Sequence, residues 1–262
     1  MSNNQQGLNA KELEKYRNSQ VCRHQLREWY KTPLGKALAE KENAELEAIL
    51  PSLFGYHLLQ MSEHSNSSYL DMSMIRHKII ADMDDRALSQ PLNMRSDASN
   101  LAIASDSIDV AILPHTLDVD IAPHQVLREA DRVLVPEGRV IILGFNPWSS
   151  WGARHMINIW RGRCPWKLRF LSPYRIKDWL TLLGFEIEEV KTFFYHPPMS
   201  SPFLVKKQAI FETVGSKLWP AFGSAYVLVA KKQVSTLTQI RPRWLLKRRP
   251  NVVPGFIETR HE

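Results

Sequence analysis

Between residues 96 and 147 the apolar and polar positions of this chain fall into a strand, helix, strand order. An apolar run over 108–113 stops at Pro114 and His115, and a second over 140–145 ends at Asn146 and Pro147. Both are rich in Ile, Val and Leu without sustained polar alternation, the pattern of strands covered on both faces of a parallel sheet. Between them Val126, Leu127, Ala130, Val133 and Leu134 form one stripe, with Arg128, Glu129, Asp131 and Arg132 turned away, which predicts an amphipathic helix. Pro123 suits its first turn, and Pro136 with Gly138 supplies the turn back into the sheet. Parallel strands need such a crossover, and crossovers of this kind are right-handed, so a doubly wound α/β sheet follows.

The same reading extends along the chain. Thr32 and Pro33 mark the cap and first turn of a helix lasting to Leu50, with Leu34, Leu38, Leu46, Ile49 and Leu50 near one face and Pro51 ending it. Upstream, Leu26, Trp29 and Tyr30 predict a shorter helix. A first strand is expected over 56–62, followed by a polar stretch in which no helix can be drawn. A second strand over 77–85 ends in acids, and a third, shorter one covers 91–95. Ser172 and Pro173 start a helix whose Ile176, Trp179, Leu180 and Leu183 face inward and whose Gly184 forms the C-terminal cap. A strand over 186–195, a proline-bearing excursion with a short helix over 203–219 and a strand over 225–230 complete a sheet of seven strands. The expected organisation is a leader with a short helix (1–31), an α/β domain (32–233) and a flexible basic tail (234–262).

Composition changes this picture in two places. At 262 residues and 44% hydrophobic the chain is long enough for one large α/β domain. Its polar start lacks an apolar h-region, and no run approaches the ~18 apolar residues of a membrane span, so a cytoplasmic location is expected. Cys22 and Cys164 read as ordinary reduced thiols. Of the formal charge of +7, the tail over 241–262 carries +4, six basic residues against Glu258 and Glu262, which leaves +3 for the rest. The stretch 148–177 holds no acid but has Arg154, Arg161, Arg163, Lys167, Arg169, Arg175 and Lys177 among Trp148, Trp151, Trp160, Trp166, Phe170 and Tyr174. This cap suits an anionic or flat aromatic partner. Its alternative role is packing, with the tryptophans anchoring an irregular cap. Cap and tail together offer non-specific nucleic-acid or lipid contact, or are simply solvated.

The segment SDASNLAIASDSIDVAILPHTLD and the crossover HQVLREADRVLVPEGRVII, with the later LLGFEIEEVKTFF and AYVLVAKK, resemble the class I S-adenosylmethionine-dependent methyltransferases, in particular their type-11 group. The resemblance covers about 50 residues well and about 150 loosely. It implies a Rossmann-like doubly wound sheet of about seven strands with the last antiparallel and helices on both faces, and S-adenosylmethionine as cofactor. Carried over residue by residue, it implies Asp97 and Ala98 along the adenine and an acid of the second strand, Asp84 among Asp82, Asp84 and Asp85, on the ribose. Gln60 and Ser62 then lie in the loop after the first strand, and His115 and Thr116 at the end of the fourth. His115 is the leading candidate for a catalytic base, ahead of His155 and Tyr195. The alternatives are a turn or helix-cap aspartate for Asp97 and a backbone-bonded strand-end histidine for His115.

The sequence departs from the family after the first strand, where an acid and Gly-x-Gly are expected and LLQMSEHSNS has Gln60 and no glycine. Neither a P-loop, a G-x-S-x-G elbow, an H-E-x-x-H pair, a Cys-x-x-Cys nor a G-x-G-x-x-G is present. Two functions remain: a methyltransferase acting on a small-molecule or anionic, aromatic acceptor, or a methyltransferase-fold module that binds a partner without catalysis.

Overall fold

The computed structural model describes residues 10–61, 68–82, 94–160, 168–196 and 219–233. It opens with α1 (Ala10–Tyr30) and α2 (Pro33–Ile49). Thr32 caps α2 as its sequence predicts, Oγ1 accepting from the Gly35 N–H at 3.2 Å, with Pro33 in the first turn. The helix before it is longer than expected, at 21 residues. Beside the buried apolar Cys22, Leu26 and Tyr30 its inward face carries a polar stripe, Ser19, Arg23 and Arg27 at four-residue spacing, all three buried, which weakens the apolar periodicity that would reveal it.

The sheet comprises β1 (His57–Met61), β2 (His77–Asp82), β3 (Met94–Arg95), β4 (Ile108–Pro114), β5 (Leu134–Phe145), β6 (Phe185–Phe193) and β7 (Ala225–Lys232). Their order is β3-β2-β1-β4-β5-β7-β6. The first five pair in parallel, and β7 runs antiparallel to both β5 and β6. This is the expected doubly wound sheet with its last strand reversed. The Pro136 to Gly138 turn falls inside β5, where the register against β4 slips between Ile108 and Val110 and Glu137 adopts a φ of 68°.

Two helical turns arise where none was foreseen, α3 (Ser68–Asp71) and α4 (Thr116–Val119), each too short to show a period. The expected irregular cap contains α6 (Ser150–Trp160), which buries Trp151 but leaves Met156, Ile157 and Trp160 exposed and so lacks a continuous apolar stripe. The predicted α5 (Pro123–Val133) and α7 (Pro173–Leu182) are present, and α7 ends at Gly184, whose φ of +89° is the left-handed conformation a glycine cap supplies. The expected short helix in the 203–219 excursion and the 234–262 tail lie outside the described residues, as do Arg161, Arg163 and Lys167 of the cap.

Alternation along the strands assigns each face its own core. Leu58, Val110, Ile112, Ile141, Leu143, Val227 and Val229 pack with Leu26, Leu38, Leu46 and Trp151 of α1, α2 and α6. Leu59, Ala111, Leu113, Ile142 and Leu228 pack with Val126, Leu127, Ile176 and Leu180 of α5 and α7. Both faces are covered, which explains the near-continuous apolar strands. The strand order reverses between β1 and β4, so the crevice beyond their carboxyl ends is where this topology places a ligand.

The seating of α1 over that crevice depends on the tight α1–α2 turn. A Cβ at Gly35 would stand 2.3 Å from the Trp29 carbonyl oxygen, so the two helices approach too closely for a side chain. Gly35→Ala is expected to lower the unfolding free energy by about 1–3 kcal/mol, measured by urea denaturation, because backbone rather than a flexible side chain must yield.

Candidate cofactor crevice

The fourth strand ends in an unusual conformation. His115 has φ 53° and ψ 11°, left-handed for a residue with a Cβ, at a cost of about 1–2 kcal/mol. The turn swings its ring into the interior, where it is wholly buried. Nδ1 lies 2.9 Å from Asp118 Oδ2 and Nε2 lies 2.8 Å from Glu42 Oε1. Tyr30 Oη donates to the same Glu42 oxygen at 2.8 Å, and the Phe145 N–H donates to Asp118 at 3.0 Å. Helix α1, helix α2, β4, α4 and β5 therefore meet at one imidazole, which also packs on the Phe145 ring with centroids 4.2 Å apart.

Burial works against a charge on His115, but the hydrogen bonds and charges of Asp118 and Glu42 outweigh it and raise the imidazole from 6.5 to about 9. At neutral pH it is an imidazolium donating from both nitrogens. Asp118 moves upward too, because burial exceeds the stabilisation that His115 and the Phe145 N–H give its carboxylate. With both nitrogens engaged by carboxylates, His115 presents none to a substrate, and its place at a strand end comes from carboxylates rather than from the backbone bonding considered above.

Helix α1 lies along the same edge. Ser19 Oγ donates to the Val119 carbonyl at 2.8 Å, Arg23 bonds Asp120 Oδ2 at 3.1 Å, and Arg27 bonds Asp82 Oδ2 at 2.5 Å. Both arginines and both aspartates are buried. Asp120 is raised by burial, against which the Ala122 N–H and Arg23 act, while Asp97 adds to the rise. The acid that closes β2 is thus Asp82, and it is held by Arg27.

The remaining sequence candidates are spread around this centre. Gln60 is the penultimate residue of β1 and is buried. Asp97 follows β3 half-buried, its Oδ1 accepting from the Ser99 N–H and hydroxyl at 3.0 Å each, which is a turn aspartate's geometry; Ala98 beside it is buried. Thr116 is buried at the start of α4. Ser62 and Asp84 lie outside the described residues. His155 is half-buried at 3.0 Å from the Leu168 carbonyl and stacked on Phe170, and burial lowers its pKa. Tyr195 lies further along the carboxyl edge, beyond β5, lining a cavity of about 660 Å³ with Trp148, Tyr174, Lys177, Lys191 and Phe222.

Glu42, Arg23 and Arg27 escaped the sequence reading. Their signal was present: Glu42 interrupts the stripe of Leu38 and Leu46 at four-residue spacing, and a carboxylate on an apolar stripe needs a buried partner.

Sheet order, the reversal at β1 and β4 and the acids at the strand ends define a Rossmann-like α/β protein of the methyltransferase class. The chain belongs to the class I S-adenosylmethionine-dependent methyltransferase family, type-11 group: residues 60–142 match the family described as a methyltransferase domain. It is also 30% identical over 236 residues to the uncharacterized protein YafS of Escherichia coli K12, covering 88% of this chain and 91% of that one. In three dimensions it resembles a methyltransferase of Thermotoga maritima described as a possible histamine N-methyltransferase, with TM-score 0.60 and 18% identity over 82% of this chain and 99% of that one. A methyltransferase of Archaeoglobus fulgidus gives TM-score 0.53 and 18% identity over 74% and 94%. These structural likenesses show the fold. No helix among the described residues is long and apolar enough to cross a membrane.

The family's cofactor is S-adenosylmethionine, and the described residues fit it on one side. Asp97 keeps Oδ2 without a hydrogen bond among the described residues, next to the small Ala98, which suits an adenine edge. The acid expected on the ribose, Asp84, lies outside the described residues, and the carboxylate of Asp82 that closes β2 is bonded to Arg27.

Two measurements test this electrostatic frame. Asp82→Asn removes the buried partner of Arg27 and is expected to cost about 3–5 kcal/mol in chemical denaturation, whereas the double replacement Arg27→Met, Asp82→Leu recovers most of that loss. For His115, a folded pKa raised above 6.5 means its stabilisation is complete below pH 6.5 and disappears as pH rises through about 9. His115→Asn, which tolerates the left-handed backbone, should therefore melt well below the unmodified protein at pH 6 and close the gap by pH 10; a constant gap would mean the imidazole is neutral.

Proposed function

We propose that this chain transfers a methyl group from S-adenosylmethionine to a small anionic or aromatic acceptor. The observation that carries the reading is the Asp97–Ala98 turn at the carboxyl end of β3, on the strand edge that also holds the β1–β4 reversal and within the segment that matches the methyltransferase domain. When bound, the cofactor supplies an electrophilic methyl on a sulfonium, so the protein's task is chiefly alignment and exclusion of water. Asp97, whose Oδ1 is taken by Ser99, would offer Oδ2 to the adenine amine, with the small Ala98 beside it. Asp82 would be the acid for the ribose if Arg27 released it, and α1, through Arg23 and Arg27, covers Asp120 and Asp82 at the strand ends.

The acceptor reading rests on the cavity of about 660 Å³ beside Asn146, at the carboxyl end of β5. Its aromatic walls, Trp148, Tyr174, Tyr195 and Phe222, and the cations Lys177 and Lys191 favour a flat, negatively charged molecule. Lys191 is partly neutralised by Glu45 at 2.5 Å, so Lys177 is the freer charge. Tyr195 is the side chain best placed there to take a proton from an acceptor, while His115 serves to hold the crevice together. The second reading, a binding module without catalysis, is favoured by the Arg27–Asp82 pair and by the absence of glycine after β1.

Calorimetric or thermal-shift titration with S-adenosylmethionine separates them. A ligand at 100 times its dissociation constant stabilises the fold by about 2.7 kcal/mol, and Asp97→Ala is expected to abolish the shift. No shift at millimolar cofactor sinks the enzyme reading.

A further inference from the structure

Between the start of α5 and the start of α7 lies a second cavity, of about 630 Å³, separate from the acceptor cavity proposed above and lined in part by Arg169, Phe170 and Arg175 of the basic aromatic stretch. Three arginines from three elements converge on it: Arg128 of α5, Arg169 of the segment before α7 and Arg175 in the first turn of α7. None has an ion-pair partner among the described residues. Elsewhere Arg23, Arg27, Arg132 and Arg139 all bond carboxylates. Three guanidinium groups around one concavity repel one another, and this arrangement is relieved by an anion between them.

The cluster is built as well as charged. The Arg169 guanidinium donates to the Ile121 carbonyl at 3.1 Å, which fixes its direction. Arg175 lies over the Trp179 ring at 5.1 Å, and the His124 ring packs on that same indole with centroids 3.7 Å apart. Two of the three cations thus have their positions set before any ligand arrives, which lowers the ordering cost of binding. Helix α5 begins here with Ala122 at its cap position and no side-chain cap, so its partial positive charge adds to theirs.

We infer that this cavity is a binding site for a small phosphate-bearing anion. Planar guanidinium forks match phosphate oxygens two at a time, and the volume is that of a small-molecule site rather than a flat patch for a polymer. The site is formed by α5 and α7 and does not depend on S-adenosylmethionine being bound.

The test uses the full-length chain and inorganic pyrophosphate, titrated calorimetrically at low and high salt. Saturable binding is expected, weakened by salt. It should become about tenfold weaker in Arg128→Gln and in Arg175→Gln. Both side chains are exposed, and unchanged circular dichroism melting in the free variants establishes that they fold. Competition with phosphatidylglycerol vesicles then identifies the source: displacement of pyrophosphate assigns the phosphate to a lipid headgroup, and its failure assigns it to a soluble molecule. Absence of pyrophosphate binding, or binding that both variants leave unchanged, overturns the inference.

Discussion

A charged imidazole enclosed between two carboxylates ties the helical layer of this protein to its sheet. His115 stands at the end of a central strand, yet its partners come from α2 and α4, and the Glu42 carboxylate is shared with Tyr30 of α1. A buried carboxylate without such a partner costs several kcal/mol, so none of the three groups is tolerable there alone. Together they make the left-handed turn after β4 worth its local strain, because that turn is what brings the ring between Glu42 and Asp118.

The same logic governs α1. Its arginines enter the protein only because Asp82 and Asp120 await them at strand ends, and those acids are free to be buried only because the arginines cover them. Stability and ligand access consequently draw on one set of charges. Any ligand that uses the Asp82 carboxylate must displace a guanidinium already in place, so its affinity there is reduced by the free energy of the contact it displaces.

Much of the fold was legible because its strands are covered on both faces. Leu58 and Leu59, or Ile141 and Ile142, serve opposite cores, which removes polar alternation and leaves a signal of apolar runs spaced by a crossover helix. Caps were readable for a local reason, since Thr32 and Ser172 act on backbone three residues away. The site was less legible. Asp97 and Ala98 were singled out by resemblance, whereas Arg23, Arg27 and Glu42 were not, because their partners lie 97, 55 and 73 residues away in the chain.

Local chemistry, then, determined the α/β class, the seven strands, the starts of α2, α5 and α7 and the strand ends that face the crevice. Which acid would be covered, and by which cation, was decided only when α1 and α2 folded back across the carboxyl edge. The pairs Arg27 with Asp82 and Glu42 with His115 are separated by 55 and 73 residues. Their free energy exists only after desolvation, which is a property of the assembled layers and of no single stretch of chain.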